Sequence, residues 1–264
     1  MILDAFRLTD RVALVTGSGH GIGRAIALAY ADAGAHVVCA ARTQADIDET
    51  AAQVRARGRE ALAVRCDVLH TEQLEALLAA SFERFGRLDV LCNNAGGALP
   101  RAALELSERA FEKIVRFNLT SPFLLTRMAV PRMVETTGGG AVVNISSGAA
   151  TLAVAGMAAY GSAKAGLNQL TRILAAEFAP KVRVNAIVVG QIDTPGASSV
   201  LTPEMKREAA ERIPLKRIGA ADDIAACALY LASPASSWVT GHSFPVDGGV
   251  GAGSVPVAFP IPKL

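Results

Sequence analysis

Seven short apolar runs, rich in β-branched residues, punctuate the chain: Val12–Thr16, His36–Ala40, Leu62–Cys66, Asp89–Cys92, Ala141–Ile145, Val182–Val189 and Ser243–Val246. Their apolar residues are consecutive rather than alternating, as in strands covered on both faces, which points to a parallel sheet. Helical spacing fills the intervals. Ile47, Ala51 and Val54 form one such stripe, and Leu74, Leu78 and Phe85 belong to another. Ser107 reads as the N-cap of a helix carrying Phe111, Ile114, Val115 and Asn118, which Pro122 and Pro131 interrupt by local rules. Alternating strands and helices specify a doubly wound α/β fold. No Pro/Gly/Ser-rich linker divides the chain before Gly248, so it reads as one domain over residues 1–249 with a C-terminal extension over 250–264.

Composition narrows the functions open to such a fold. Of 264 residues, 51% are hydrophobic and 19% charged, enough apolar material for a sizeable core and too much for a disordered chain. The net charge of +2 comes with no basic block; Arg55, Arg57 and Arg59 read as a solvated helix end, which argues against a nucleic-acid partner. The cysteines, at 39, 66, 92 and 227, form no CxxC pair and read as reduced, buried and cytoplasmic. From Thr136 to Ala163 no residue is charged, yet Gly138, Asn144, Ser146, Ser147, Thr151 and Tyr160 make the stretch too polar for a membrane span. The first residues, with Asp4 and no long apolar run, do not read as a signal peptide.

Two clusters carry candidate chemistry. The first strand runs into Gly17-Ser18-Gly19-His20-Gly21-Ile22-Gly23 and then into a helix. Glycines let a backbone approach a pyrophosphate, and a helix N-terminus favours the anion. The spacing is Gly-x3-Gly-x-Gly rather than GxGxxG, and a glycine-rich turn alone can be only a tight turn. The second cluster is Tyr160 and Lys164, one helical turn apart. A cation so placed favours the phenolate and should lower the phenol pKa, although an isolated pair of this kind can be a surface Tyr over a Lys stem. The four histidines are scattered and no HExxH occurs, so no metal site is expected. No GxSxG surrounds Ser147, which disfavours a hydrolase.

Taken together, Thr16 to Gly23 as TGxxxGIG, Asn93-Asn94-Ala95-Gly96, Asn118, Ser147 and Tyr160 with Lys164 resemble the short-chain dehydrogenase/reductase family in order and spacing. Val184-Asn185-Ala186-Ile187, Ile192-x-Thr194 and Asp247-Gly248-Gly249 extend the resemblance over roughly residues 9 to 249. It implies a single Rossmann-like domain with a seven-stranded parallel sheet, helices on both faces, and a helix continuing past Pro122 and Pro131. It further implies an oxidoreductase interconverting an alcohol and a ketone with NAD(P). Tyr160 would be the acid/base and Ser147 the donor to the substrate oxygen. Lys164 would bind the nicotinamide ribose and lower the Tyr pKa, and Asn118 would hold a water. The implied cofactor wall comprises Gly17, Ser18, Gly19, His20, Gly21, Ile22, Gly23, Asp67, Val68, Asn94, Ala95, Gly96, Gly190, Ile192 and Thr194. Where the family usually has Pro-Gly, this chain has Val189-Gly190, which puts the shape of the loop Gln191–Leu215 in question.

Cofactor choice follows from the end of the second strand. An NAD-selecting carboxylate there accepts the ribose 2′-hydroxyl. The position reads Ala41, followed by Arg42 and Thr43, and a guanidinium pairs with a 2′-phosphate. NADP(H) is therefore expected over NAD(H), with Arg42 and Thr43 on the phosphate. Asp46 reads only as a first-turn helix acid. The resemblance implies a small-molecule alcohol or ketone as substrate, without specifying which. Asn93 to Gly97 and Ser233 to Trp238 resemble the 7α-hydroxysteroid dehydrogenase branch, while 3-oxoacyl-carrier reductase and a non-catalytic cofactor-binding regulator are the alternatives. The resemblance implies a homotetramer, with the tail's Val255, Val257, Phe259 and Ile261 packing across a subunit boundary.

Overall fold

The computed structural model describes residues 1–194 and 202–252. The tail residues expected at a subunit boundary lie outside them, as does part of the loop between Gln191 and Leu215. The seven strands are β1 (Val12–Thr16), β2 (His36–Ala41), β3 (Ala61–Arg65), β4 (Val90–Asn93), β5 (Gly140–Ile145), β6 (Val182–Val189) and β7 (Ser243–Val246). They pair in parallel in the order β3-β2-β1-β4-β5-β6-β7. The order reverses between β1 and β4, so the loops leaving these two strands diverge and open a crevice at their C-terminal ends.

Consecutive apolar residues in β1 serve two cores. Ala13 and Val15 face α1 (Gly21–Asp32), α2 (Gln44–Arg55) and α8 (Ala221–Ala232), where Ile26, Tyr30, Ile47, Ile224 and Leu231 are fully buried. Val12 and Leu14 face α3 (Thr71–Phe85), α5 (Ser121–Thr137) and α6 (Ala158–Phe178), where Leu74, Leu77, Leu125 and Met133 are fully buried. Burial of each such side chain contributes roughly 1.5–3 kcal/mol. The remaining helices are α4 (Glu108–Val115) and α7 (Pro203–Arg212).

Ser107 caps α4, its Oγ accepting from Ala110 N at 3.3 Å. The expected break at Pro122 and Pro131 does not occur. A π-helical segment, Arg116–Thr120, joins α4 to α5, so Pro122 enters in the first turn of α5, where its missing N–H is tolerated. Pro131 is accommodated inside α5. The Ser121 hydroxyl, donating to Arg116 O at 2.8 Å, helps close the widened turn. Beneath it a buried polar chain ties two helices to the sheet: Asn93 Nδ2 donates to Thr126 Oγ1 at 3.0 Å and to Asn144 Oδ1 at 2.9 Å, and Asn144 Nδ2 donates to Thr171 Oγ1 at 2.9 Å. Such groups are tolerated in a core because each finds a partner.

The cysteines are free, three of them buried. Burial pushes the Cys39, Cys66 and Cys92 thiols up to about 12, as unreactive small hydrophobes. Arg55 and Arg57 are exposed, as expected of a solvated helix end, with Arg57 pairing with Asp32 there, while the half-buried Arg59 pairs with Asp10. Among the described residues no helix is long and apolar enough to cross a membrane, and no cluster of His, Cys, Asp or Glu could hold a metal ion.

Candidate active site

The turn between β1 and α1 is fixed from the neighbouring strand. Thr16 Oγ1 accepts from the backbone N–H groups of Asn94 and Ala95, both at 3.0 Å, and Asn94 Nδ2 donates to Thr16 O at 2.8 Å and Gly17 O at 3.2 Å. Gly17 adopts φ +66°, a conformation that favours glycine. At Gly23 an added Cβ would lie 2.5 Å from Asn94 Nδ2, so only glycine lets α1 begin this close to the turn. His20 occupies the N-cap of α1 without a side-chain cap bond, and no acidic residue stands in the first turn. The N–H groups of Gly21, Ile22 and Gly23 thus lack an acceptor from the described residues at the end of a helix dipole, the donor set that suits the phosphates of a dinucleotide.

A second group of residues faces the same crevice from β5 and α6. Ser147, just past β5, accepts from Ala149 N at 3.2 Å through its Oγ, and its hydroxyl hydrogen-bonds the Tyr160 phenol. Lys164 on α6 is only 3% exposed, and its Nζ donates to Ile145 O at 2.7 Å. Desolvation brings its pKa down from 10.5 to about 7. Its Nζ stands 5.7 Å from the centroid of the Tyr160 ring.

The expectation that Lys164 lowers the Tyr160 pKa is not met in this structure. Burial of the phenol raises it, and the hydrogen bond from Ser147 opposes that rise. The physical reason is that Lys164 bonds a carbonyl and is itself desolvated. The Tyr160 phenol therefore keeps its proton at neutral pH.

These parts line one cavity of about 550 Å³. The glycine turn and Arg42, Thr43, Asp67 and Val68 form one end, and Ser147, Tyr160 and Lys164 the other, with Asn94, Ala95, Gly96, Gly190 and Thr194 also on the wall. Two expected wall residues are elsewhere. Ser18 is fully buried behind the turn. Ile192 lines a separate cavity of about 280 Å³, because its backbone bridges to Gly219. Asn118 lies behind the wall and grips it: its Oδ1 accepts from Gly97 N at 2.8 Å while its Nδ2 donates to Gly97 O at 3.0 Å and Ile114 O at 2.9 Å. Val189 remains within β6, and Gly190 N donates to Val246 O at 3.0 Å, so the strand ends in register without the family's proline.

Other wall residues were not foreseen: Asp46, Cys66, Leu99, Phe117, Ile145 and Ser146. Asp46 is in the first turn of α2, as expected, but its Cβ lies 2.8 Å from where a Cβ on Gly19 would stand. No local sequence signal marks that approach. The Arg42 carbonyl accepts from Arg65 Nε at 3.1 Å, whereas the Arg42 guanidinium has no partner among the described residues.

Comparison with known proteins agrees with this geometry. The family model described as enoyl-(acyl carrier protein) reductase matches residues 17–251. An uncharacterised oxidoreductase of Mycobacterium tuberculosis is 46% identical over 265 residues, covering 100% of both chains. The 7α-hydroxysteroid dehydrogenase of Escherichia coli K12 is 37% identical, covering 93% of this chain and 96% of its own. A solved 7α-hydroxysteroid dehydrogenase in complex with NADH and 7-oxo glycochenodeoxycholic acid superposes with a TM-score of 0.91 at 36% identity, over 94% of this chain and 96% of that one.

Proposed function

The chain belongs to the short-chain dehydrogenase/reductase family, as an oxidoreductase acting on alcohol or ketone groups with a nicotinamide cofactor, and on that premise we propose that it interconverts a secondary alcohol and a ketone with NADP(H), using Tyr160 as the acid/base. The observation that carries the reading is the convergence of Ser147, Tyr160 and Lys164 with the uncapped N-terminus of α1 on one cavity.

Bound along this wall, the nicotinamide group supplies or accepts the hydride, and the protein must manage the proton and the charge on oxygen. The protonated phenol of Tyr160 donates its proton to the developing alkoxide, a contribution of ~10²- to 10⁴-fold. The Ser147 hydroxyl, which meets the Tyr160 phenol, would donate to the same substrate oxygen and stabilise its charge. Lys164 would meet the ribose hydroxyls. Asn118, by gripping Gly97, would keep the wall open beside them.

The preference for NADP(H) is supported by the unpaired Arg42 guanidinium and by Ala41, which has nothing to offer a 2′-hydroxyl. Asp46 on the same wall favours a second reading, NAD(H), because a carboxylate repels a 2′-phosphate. Titrating the wild type with NADPH and NADH decides between them. Exposed Leu99, Leu152 and Val154 flank the catalytic end, where Arg101 N donates to Gly156 O across the two loops that carry them. They favour an apolar ring-bearing alcohol such as a hydroxysteroid over an acyl-carrier thioester. Assembly as a cytoplasmic homotetramer belongs to the same proposal, and light scattering tests the assembly. Activity of purified protein with reduced cofactor and a panel of ketones tests the reaction.

A further inference from the structure

The carbonyls of the glycine turn are as constrained as its N–H groups. Asn94 Nδ2 takes Thr16 O and Gly17 O. The next two carbonyls are taken from a different direction. Thr50 Oγ1, fully buried on α2, lies 2.9 Å from Ser18 O. Arg24 on α1 donates to Gly19 O from both Nε, at 3.0 Å, and Nη2. Four successive carbonyls thus each have a side-chain donor within hydrogen-bond reach.

The donors are linked. Arg24 Nε also lies 3.1 Å from Thr50 Oγ1, and the guanidinium is held by Glu49, at 2.8 Å through Nη1 and 3.0 Å through Nη2. The Thr50 hydroxyl has one proton, with Asp46 O at 3.0 Å as its alternative acceptor. A donation from Arg24 into the same oxygen makes that hydroxyl a better donor.

A carbonyl turned toward a bound phosphate would repel it, so holding the carbonyls on the protein side keeps the N–H groups free for the anion. We propose that Arg24 and Thr50 are positioning residues for the dinucleotide: they fix the Ser18 and Gly19 carbonyls away from the cavity and so set the affinity for the pyrophosphate. Neither side chain lines the cavity. The proposal rests on the dinucleotide reading above. Because the pyrophosphate is common to both cofactors, NADH and NADPH affinities must fall together, unlike the effect of a residue at the 2′ position.

The test is a fluorescence titration of Thr50→Val, Thr50→Ser, Arg24→Met and Arg24→Lys with NADPH and NADH, with circular dichroism to check folding and kcat measured at saturating cofactor. Loss of one oriented carbonyl is expected to raise Kd about tenfold for both cofactors in Thr50→Val, with kcat within about twofold. Thr50→Ser, which keeps the hydroxyl, should return to within about threefold of wild type. Arg24→Lys keeps the charge but not the fork, and should remain nearer Arg24→Met than wild type. Folded Thr50→Val and Arg24→Met proteins with wild-type Kd would overturn the proposal, as would Thr50→Ser behaving like Thr50→Val, or Arg24→Lys restoring affinity fully. If Thr50→Val does not fold, the comparison of Arg24→Lys with wild type still decides. A wild type that binds neither cofactor would refute the dinucleotide reading itself, whatever the variants do.

Discussion

Lys164 should cost the cofactor-free protein stability, and replacing it with methionine should reveal how much. The Lys164 residue is 3% exposed, its Nζ donates to Ile145 O at 2.7 Å, and burial lowers its pKa from 10.5 to about 7. Below about pH 7 both folded and unfolded chains carry the proton, and the full cost of burying the charge is present. Between about pH 7 and 10.5 the unfolded chain holds a proton that the folded one has shed, so stability rises with pH. At ~1.36 kcal/mol per pH unit the full cost is on the order of 5 kcal/mol. Lys164→Met removes that cost but leaves Ile145 O without its donor, a loss of about 1–3 kcal/mol. In urea denaturation at about pH 6 the variant should therefore be the more stable by roughly 2–4 kcal/mol. At about pH 9 its advantage should shrink by roughly 3 kcal/mol, because the wild type alone gains over the two pH units between about 7 and 9. Packing differences are the same at both pH values and cancel from this change. A gap between variant and wild type that does not move with pH would refute the reasoning.

Tyr160→Phe should lower turnover by at least ~10²-fold while leaving the cofactor Kd within about threefold, and a variant retaining a tenth of the activity would contradict the acid/base role. Arg42→Ala should weaken NADPH by ~1.5–3 kcal/mol and leave NADH nearly unchanged, as measured by parallel titrations. Gly23→Ala would drive a Cβ to 2.5 Å from Asn94 Nδ2 and against the Gly17 carbonyl. Thermal melts should register a loss of about 1–3 kcal/mol, together with a cofactor Kd raised at least about tenfold.

The fold was legible because its signal is local and repeated. Each apolar run found its strand within a residue, since a sheet covered on both sides keeps its strands mostly apolar and so sharpens their limits. Ser107 was legible for the same reason, being a cap three residues from its donor. Pro122 misled because the local rule assumes an α-helical register, and the π-helical segment before it shifts that register using tertiary contacts.

The site was legible only as far as the family motifs name residues. Asp46, Thr50 and Arg24 sit on helix faces that look ordinary in the sequence, and their effect arises where α1 and α2 cross. Thr50 meets a turn 32 residues earlier, a distance that no periodicity encodes. Asn118 was found by motif, but spacing alone could not show that its amide would grip both backbone groups of Gly97. The Tyr160–Lys164 spacing likewise predicted proximity correctly. It could not show that Ile145 O would take the ammonium.

The central claim is that this cavity carries out NAD(P)-linked alcohol–ketone chemistry through Tyr160. The most direct measurement follows the near-ultraviolet absorbance of reduced cofactor with wild type and Tyr160→Phe, side by side, against a panel of apolar ring ketones including a 7-oxosteroid. The wild type should oxidise the cofactor with at least one ketone, and the variant should do so at least ~10²-fold more slowly despite its bound cofactor. Equal rates from the two proteins, or no oxidation of either bound cofactor by the wild type with any ketone, would contradict it.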